Sequence, residues 1–216
     1  MKTMLVIGIG RFGKHLATKL LELGNEVMIV DRQEDRMSDL LPLVTRAHIG
    51  DCTDVKLLRS LGIGNFDVCF VCIGTNFQAS LEITSLLKEQ GAKHVVSKAD
   101  RDIDEKFLLR NGADDVIYPE RDVALRAAKK YSSRNSFDYI ELANDFSISE
   151  ISAPDSWLGK SIRQIAVRSK YNINIIAVKR NGAIEPMANS DYLFTKDEHL
   201  IISGHSKDCA RILAMK

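Results

Sequence analysis

Three glycines at the spacing G-x-G-x-x-G, Gly8, Gly10 and Gly13, occupy the stretch "GIGRFG", and an acid, Asp31, follows 18 residues after the third. That pattern suits an anionic ligand. Gly8 permits a tight turn out of a strand, Gly10 lets the backbone approach a pyrophosphate, and Gly13 lets a helix lie close to a sheet. The phosphates would sit at the N-terminus of that helix, where unpaired N–H groups and the helix dipole favour negative charge. A carboxylate at Asp31 accepts from both ribose hydroxyls and repels a 2′-phosphate, which speaks against NADP. Arg11, inside the loop, adds a charge-assisted donor that two phosphates do not need and a third would use. Its alternative is a solvated loop arginine.

Further candidates follow other strand-like runs. Asp51, in "HIGDCTD", offers an acceptor for an adenine amino group or an N-cap for the next helix, a role that Thr53 or Asp54 also fits. Gly74, Thr75 and Asn76 offer a close backbone approach, and Asn76 is also a plausible helix cap. Lys98 and Glu120 fall at the ends of the fifth and sixth runs. Glu120 suits a hard cation beside a polyphosphate, or simply an acid stabilising a helix start after Pro119.

The elements that must position these residues are readable. "MLVIGI", "EVMIVD", "TRAHIG", "DVCFVCIG", "KHVVSKA" and "DDVIYPE" read as six strands, separated by segments with Leu and Ile at three- and four-residue spacing. Strands alternating with helices predict a parallel sheet covered on both faces, the doubly wound α/β layout with ligands at the carboxyl ends of the strands. After "RDVALRAAKKYSS" the rhythm changes. One or two strands, a helix over "WLGKSIRQIAVRSKY", a hairpin at Asn181-Gly182, a last strand and a last helix predict a small α+β domain. The expected domains are 1–132 and 138–216, with the boundary near 132–138.

Composition narrows the function. Hydrophobic residues make up 45% and charged ones 27%, enough for packed cores. Lysine and arginine number 30 against 29 acids, so there is no basic surplus for nucleic acid. No apolar run approaches the ~20 residues that cross a bilayer, and Met1-Lys2 leads straight into a core strand. The expectation is a cytoplasmic protein that reaches a membrane only through a partner. Cys69 and Cys72 form a C-x-x-C, but residues three apart in a strand point to opposite faces, which predicts core packing rather than a redox or metal pair. The histidines show no zinc spacing. No proton-transfer group for a dehydrogenase stands out in the C-terminal segment, so the nucleotide reads as a signal.

Taken together, "VIGIGRFGKHLATKL", the acid in "VDR", "GDCTD", "IGTNFQAS" and "GADDVIYPE" resemble the RCK (KTN) domain of bacterial potassium-uptake regulators. "LGKSIRQIAVRSKYNINIIAVKRNG" is similar to the companion C-terminal RCK domain. One domain of each kind matches the KtrA type, whereas the TrkA type carries the pair twice. The resemblance implies a Rossmann-like N-terminal domain and a regulatory subunit, not an enzyme. It also implies a homo-oligomer, an octameric ring of dimers, docked beneath a KtrB/TrkH-like membrane transporter, with no nucleic-acid partner and no direct membrane insertion.

By the same resemblance Gly8, Gly10, Arg11, Phe12, Gly13, Asp31 and Arg32 would contact ATP/ADP or NAD(H). So would Asp51, Cys52, Gly74, Thr75, Asn76, Lys98 and Glu120. Arg11 would approach the terminal phosphate, and Glu120 matches a position that can hold an activating cation at a dimer interface. The ribose partner often found two residues after the acid is here Gln33. Arg168, Asn174, Ile175 and Pro186 match positions that bind cyclic di-AMP across a C-terminal dimer, although Ile175 also reads as strand core and Arg168 as helix surface. The alternatives are an NAD-dependent oxidoreductase and an NADH-sensing DNA-binding regulator. The second needs a helix-turn-helix with a basic face, which neither end provides.

Overall fold

The structure, a computed structural model, describes residues 1–132, 136–142, 145–186 and 189–215. Its first compact unit runs from Met1 to Arg121 and its second begins at Asp122. The division falls inside a helix, upstream of the 132–138 connection read from the sequence.

In the first unit, β1 (Thr3–Ile7), α1 (Arg11–Glu22), β2 (Glu26–Asp31), β3 (Arg46–Ile49) and α2 (Val55–Leu61) come first. They are followed by β4 (Val68–Val71), α3 (Phe77–Glu89), β5 (Val95–Lys98), α4 (Asp102–Arg110) and β6 (Asp115–Ile117). Helix α5 (Pro119–Ser132) leads on into the second unit. The six strands are parallel in the order β3-β2-β1-β4-β5-β6. This is the doubly wound order, which reverses direction between β1 and β4 and opens a crevice at their carboxyl ends. Between β2 and β3, where a full helix is usual, the chain makes a short 3-10 turn over Glu34–Arg36.

Apolar residues fill both faces of the sheet, as a doubly covered parallel sheet requires. Leu5, Ile7, Val30, Cys69 and Val71 pack against α2 and α3 through Leu58, Ile83 and Leu87. Met4, Val6, Ile29 and Cys72 pack with Ala17, Met37 and Leu40 on the other side. Cys69 and Cys72 therefore lie in different clusters, and burial pushes both thiols up to about 12. Neither forms a disulfide.

The second unit holds β7 (Ser136–Leu142), β8 (Phe146–Ser152), α6 (Ile162–Ile165), α7 (Val167–Tyr171), β9 (Ile173–Arg180), β10 (Ala183–Pro186), β11 (His199–His205) and α8 (Ser206–Leu213). The strands form an antiparallel sheet ordered β10-β9-β11-β8-β7, over a core of Trp157, Phe194, Ile173, Leu200 and Ile202. At the β9–β10 hairpin Asn181 and Gly182 have φ of 49° and 81°, the pair of positive values that a type I′ turn demands.

The helix read over 157–171 is broken into α6 and α7 by Ala166, which is left-handed at φ 56°. Ser161 and Gln164 form a reciprocal capping box that starts α6, with bonds of 3.2 and 2.8 Å. Ile165 and Val167 are both buried in the core. Two positions two apart on a continuous helix point about 200° away from each other, so the break lets both reach the same core.

Among the described residues no helix is long and apolar enough to cross a membrane.

Candidate functional site

A cleft of about 1160 Å³ opens at the carboxyl ends of the parallel strands. It lies wholly within the first unit and is large enough for a dinucleotide-sized ligand. The turn after β1 forms its floor. Gly8 has φ 92° and donates its N–H to the Val30 carbonyl at 2.8 Å. Gly10 is the N-cap of α1 with ordinary φ (−75°) and no side-chain capping bond, and a Cβ added there would meet nothing within 4 Å. Nothing inside the protein requires glycine at that position, so the open space faces the cleft. Arg11 is exposed on the first turn of α1 with no ion-pair partner among the described residues, and Phe12 lines the cleft beside it.

Asp31 ends β2 and is nearly buried, at 7% exposure. One carboxylate oxygen accepts from the Ile9 N–H at 2.7 Å and the other from the Gln33 N–H at 2.9 Å. The acid thus locks the glycine loop to β2 while lone pairs remain for a ligand. Arg36 stands 3.9 Å away. Asp51 accepts from the Thr53 N–H at 2.9 Å and hydroxyl at 2.8 Å, and from Arg32 at 2.7 Å. Burial raises its pKa, but these Thr53 and Arg32 contacts outweigh it and hold the carboxyl below the usual range. It does not cap α2. Asp54 does, accepting from Lys56 N–H at 2.9 Å. The neighbouring Cys52 is buried, and burial first, then the Asp51 charge, pushes its thiol up to about 12.

Across the crevice Gly74 and Thr75 line the wall, and Asn76 caps α3 by accepting from the Ala79 N–H at 3.1 Å. The Lys98 side chain is 10% exposed, and its ammonium lies between Asp100 and Glu120, 3.2 Å from the latter. Burial lowers its pKa, but the hydrogen bonds and charges of the two acids outweigh this and raise it. Burial raises the Glu120 pKa, but its own backbone N–H and Lys98 outweigh this and lower it.

The cleft therefore gathers Gly8, Gly10, Arg11, Phe12, Asp31, Arg32, Asp51, Cys52, Gly74, Thr75, Asn76, Lys98 and Glu120. Gly13 stands outside it, packed beneath against Gly8 and Cys72. Sequence reading missed Lys14, Asp35, Arg36 and Asp100, which also line it. Lys14 carried a signal, since it falls in the first turn after the loop; Arg36 and Asp100 carried none. Around Glu120 the fit to a metal is poor in one chain. Lys98 already holds its carboxylate, and no group of three or more His, Cys, Asp or Glu able to hold a metal occurs among the described residues.

In the second unit Arg168 lies on α7, Asn174 is exposed on β9 and Pro186 is exposed on β10. Ile175 packs against the core, so it and Asn174 point to opposite faces of β9. The four residues do not converge on one face of a single chain. On the same strand, Lys179 is paired with Glu150, which His199 Nδ1 also approaches at 2.7 Å.

The TrkA-N domain model matches residues 4–119 and the TrkA-C domain model residues 147–215. The chain is 39% identical over 210 residues to Ktr system potassium uptake protein C of Bacillus subtilis, covering 97% of this chain and 95% of that one. Ktr system potassium uptake protein A of the same organism is 37% identical with the same coverage. In fold, the GsuK channel superposes with a TM-score of 0.71 at 16% identity over all of this chain, which spans 40% of that channel's length. The same channel bound to NAD gives 0.69 at 15% identity, covering 99% of this chain and 39% of that one.

Proposed function

The chain belongs to the TrkA-N/TrkA-C family, with the domain pair of Ktr-type proteins, and on that premise we propose that it is a regulatory subunit of a membrane potassium transporter, gated by an adenine nucleotide in the cleft of its first unit. The observation that carries the reading is the glycine loop. At Gly10 it leaves open space that no internal contact uses, beside a cation, Arg11, and an acid, Asp31, placed for phosphate and ribose.

The N-terminus of α1 and Arg11 hold the phosphates, Asp31 the ribose, and Asp51 accepts from the adenine amino group with Arg32 steadying it. ATP/ADP is the sensed pair, with NAD(H) competing for the same adenosine subsite. The protein works from the cytoplasmic side, as an octameric ring of dimers, and reads its ligand without turning it over. A cation at Glu120 would need oxygen ligands from a second copy, and cyclic di-AMP would likewise bridge two copies through Arg168, Asn174, Ile175 and Pro186. A ligand shifts such a ring only by binding one shape more tightly, with ~1.4 kcal/mol per tenfold ratio, and several sites add.

The test is calorimetry with ATP, ADP, NADH and cyclic di-AMP on the purified protein, with its mass in solution. Binding of ATP and ADP to an octamer is the expected result. A strong preference for NADH on a dimer would overturn the reading and favour an oxidoreductase.

A further inference from the structure

Lys14 follows Arg11 by three residues on α1, and the two side chains share the face of the helix that lines the cleft. Its backbone N–H donates to the Gly10 carbonyl at 2.9 Å, which fixes it to the first turn beside the open space. Its ammonium, however, is engaged elsewhere. It forms an ion pair with Asp39, on the segment between β2 and β3. Asp39 is not among the residues lining the cleft, and the two side chains are 42% and 70% exposed. The ammonium is thus drawn to the rim by an anion standing outside.

The position of Asp39 does not depend on this pair. Met37 and Leu40, on either side of it, are buried at 0% and 2% exposure in the cluster that also packs Phe12. Releasing Lys14 therefore asks only for a change of lysine rotamer, with no movement of the segment. Exposed ion pairs are weak and exchange readily, and a phosphate chain offers more charge and more acceptors than one carboxylate. The hydrogen bond from Lys14, then its charge, holds the Asp39 carboxyl below its ordinary range, so the anion that competes for Lys14 stays ionised at neutral pH.

We propose that Lys14 is a second phosphate-binding cation of the cleft, parked at the rim by Asp39 and handed to the ligand when a polyphosphate enters. Asp39 then acts as a threshold. A ligand with more phosphate charge takes Lys14 from it more easily, so Lys14 favours ATP over ADP, Asp39 offsets part of that gain, and adenosine is unaffected. This inference rests on the nucleotide reading above.

The test is calorimetric titration of ATP, ADP and adenosine into the wild type, Asp39→Asn, Lys14→Gln and the double variant. Both sites are partly or largely exposed, so each variant is expected to fold. Asp39→Asn should tighten ATP about threefold, the scale of one exposed ion pair, with a smaller gain for ADP. Lys14→Gln should weaken ATP by about fivefold, and adding Asp39→Asn to it should then change nothing. If Asp39→Asn leaves ATP binding unaltered, or if it tightens ATP equally without Lys14, the handover is overturned while nucleotide binding stands. If Lys14→Gln binds ATP as the wild type does, Lys14 is no phosphate ligand. If the wild type binds none of the three ligands, the nucleotide reading itself falls and takes this inference with it.

Discussion

A Cβ placed on Gly13 would stand 2.0 Å from the carbonyl oxygen of Gly8, whereas one placed on Gly10 would meet nothing within 4 Å. Two glycines of one motif thus answer to different demands. Gly13→Ala must push α1 away from the loop and should cost roughly 2 kcal/mol or more, in the range of overpacked cores. Gly10→Ala should leave stability unchanged and weaken nucleotide binding about tenfold or more, by intruding on the phosphate path. Urea denaturation and calorimetry on both variants separate the two. Equal destabilisation by both would show that Gly10 also serves the fold.

Arg11 should distinguish ligands by their terminal phosphate. Arg11→Ala is expected to narrow the ATP/ADP affinity ratio while adenosine binding holds. Equal loss for ATP and ADP would place Arg11 away from the terminal phosphate.

Asp31 has a structural task as well as a proposed ligand. Asp31→Ala leaves the buried Ile9 N–H without its acceptor, at ~1–3 kcal/mol, whereas the N–H of the exposed Gln33 can turn to water. Asp31→Asn keeps one acceptor oxygen for the Ile9 N–H and should lose less stability. A denaturation series in which the two variants match would show that water replaces the carboxylate.

Acid stability should depend on Asp67. It accepts from the Thr3 N–H at 2.9 Å and from Lys93 at 3.0 Å. The Thr3 N–H first, then Lys93, lowers its pKa from 3.8 to about 2. A folded-state value below the unfolded one gives stability that is complete above the ordinary carboxylate pKa and is lost as pH falls toward the folded value. Asp67→Asn should therefore lie furthest below the wild type above about pH 4, and the gap should close toward about pH 2. A gap that stays constant across urea midpoints at pH 6, 4 and 3 would rule this out.

The sequence by itself determined the features whose signals are local. Six strands, the turn at Gly8, the I′ hairpin at Asn181-Gly182 and the opposed faces of Cys69 and Cys72 follow from periodicity and from backbone preferences within a few residues. The motif order sufficed for the family, and most of the cleft residues were legible because carboxyl ends of parallel strands share one crevice.

Tertiary structure alone decided what depends on partners distant in the chain. Lys98 could be placed at a strand end, but its position between Asp100 and Glu120 depends on how the β5 end and the start of α5 meet. Lys14 and Asp39 are 25 residues apart, and no local pattern pairs them. Ala166 has no residue preference for its left-handed turn; it breaks the helix because Ile165 and Val167 must reach one core. Local sequence sets which backbone shapes are cheap, but packing chooses among them, because burial of a neighbouring side chain outweighs the small cost of a less favoured turn.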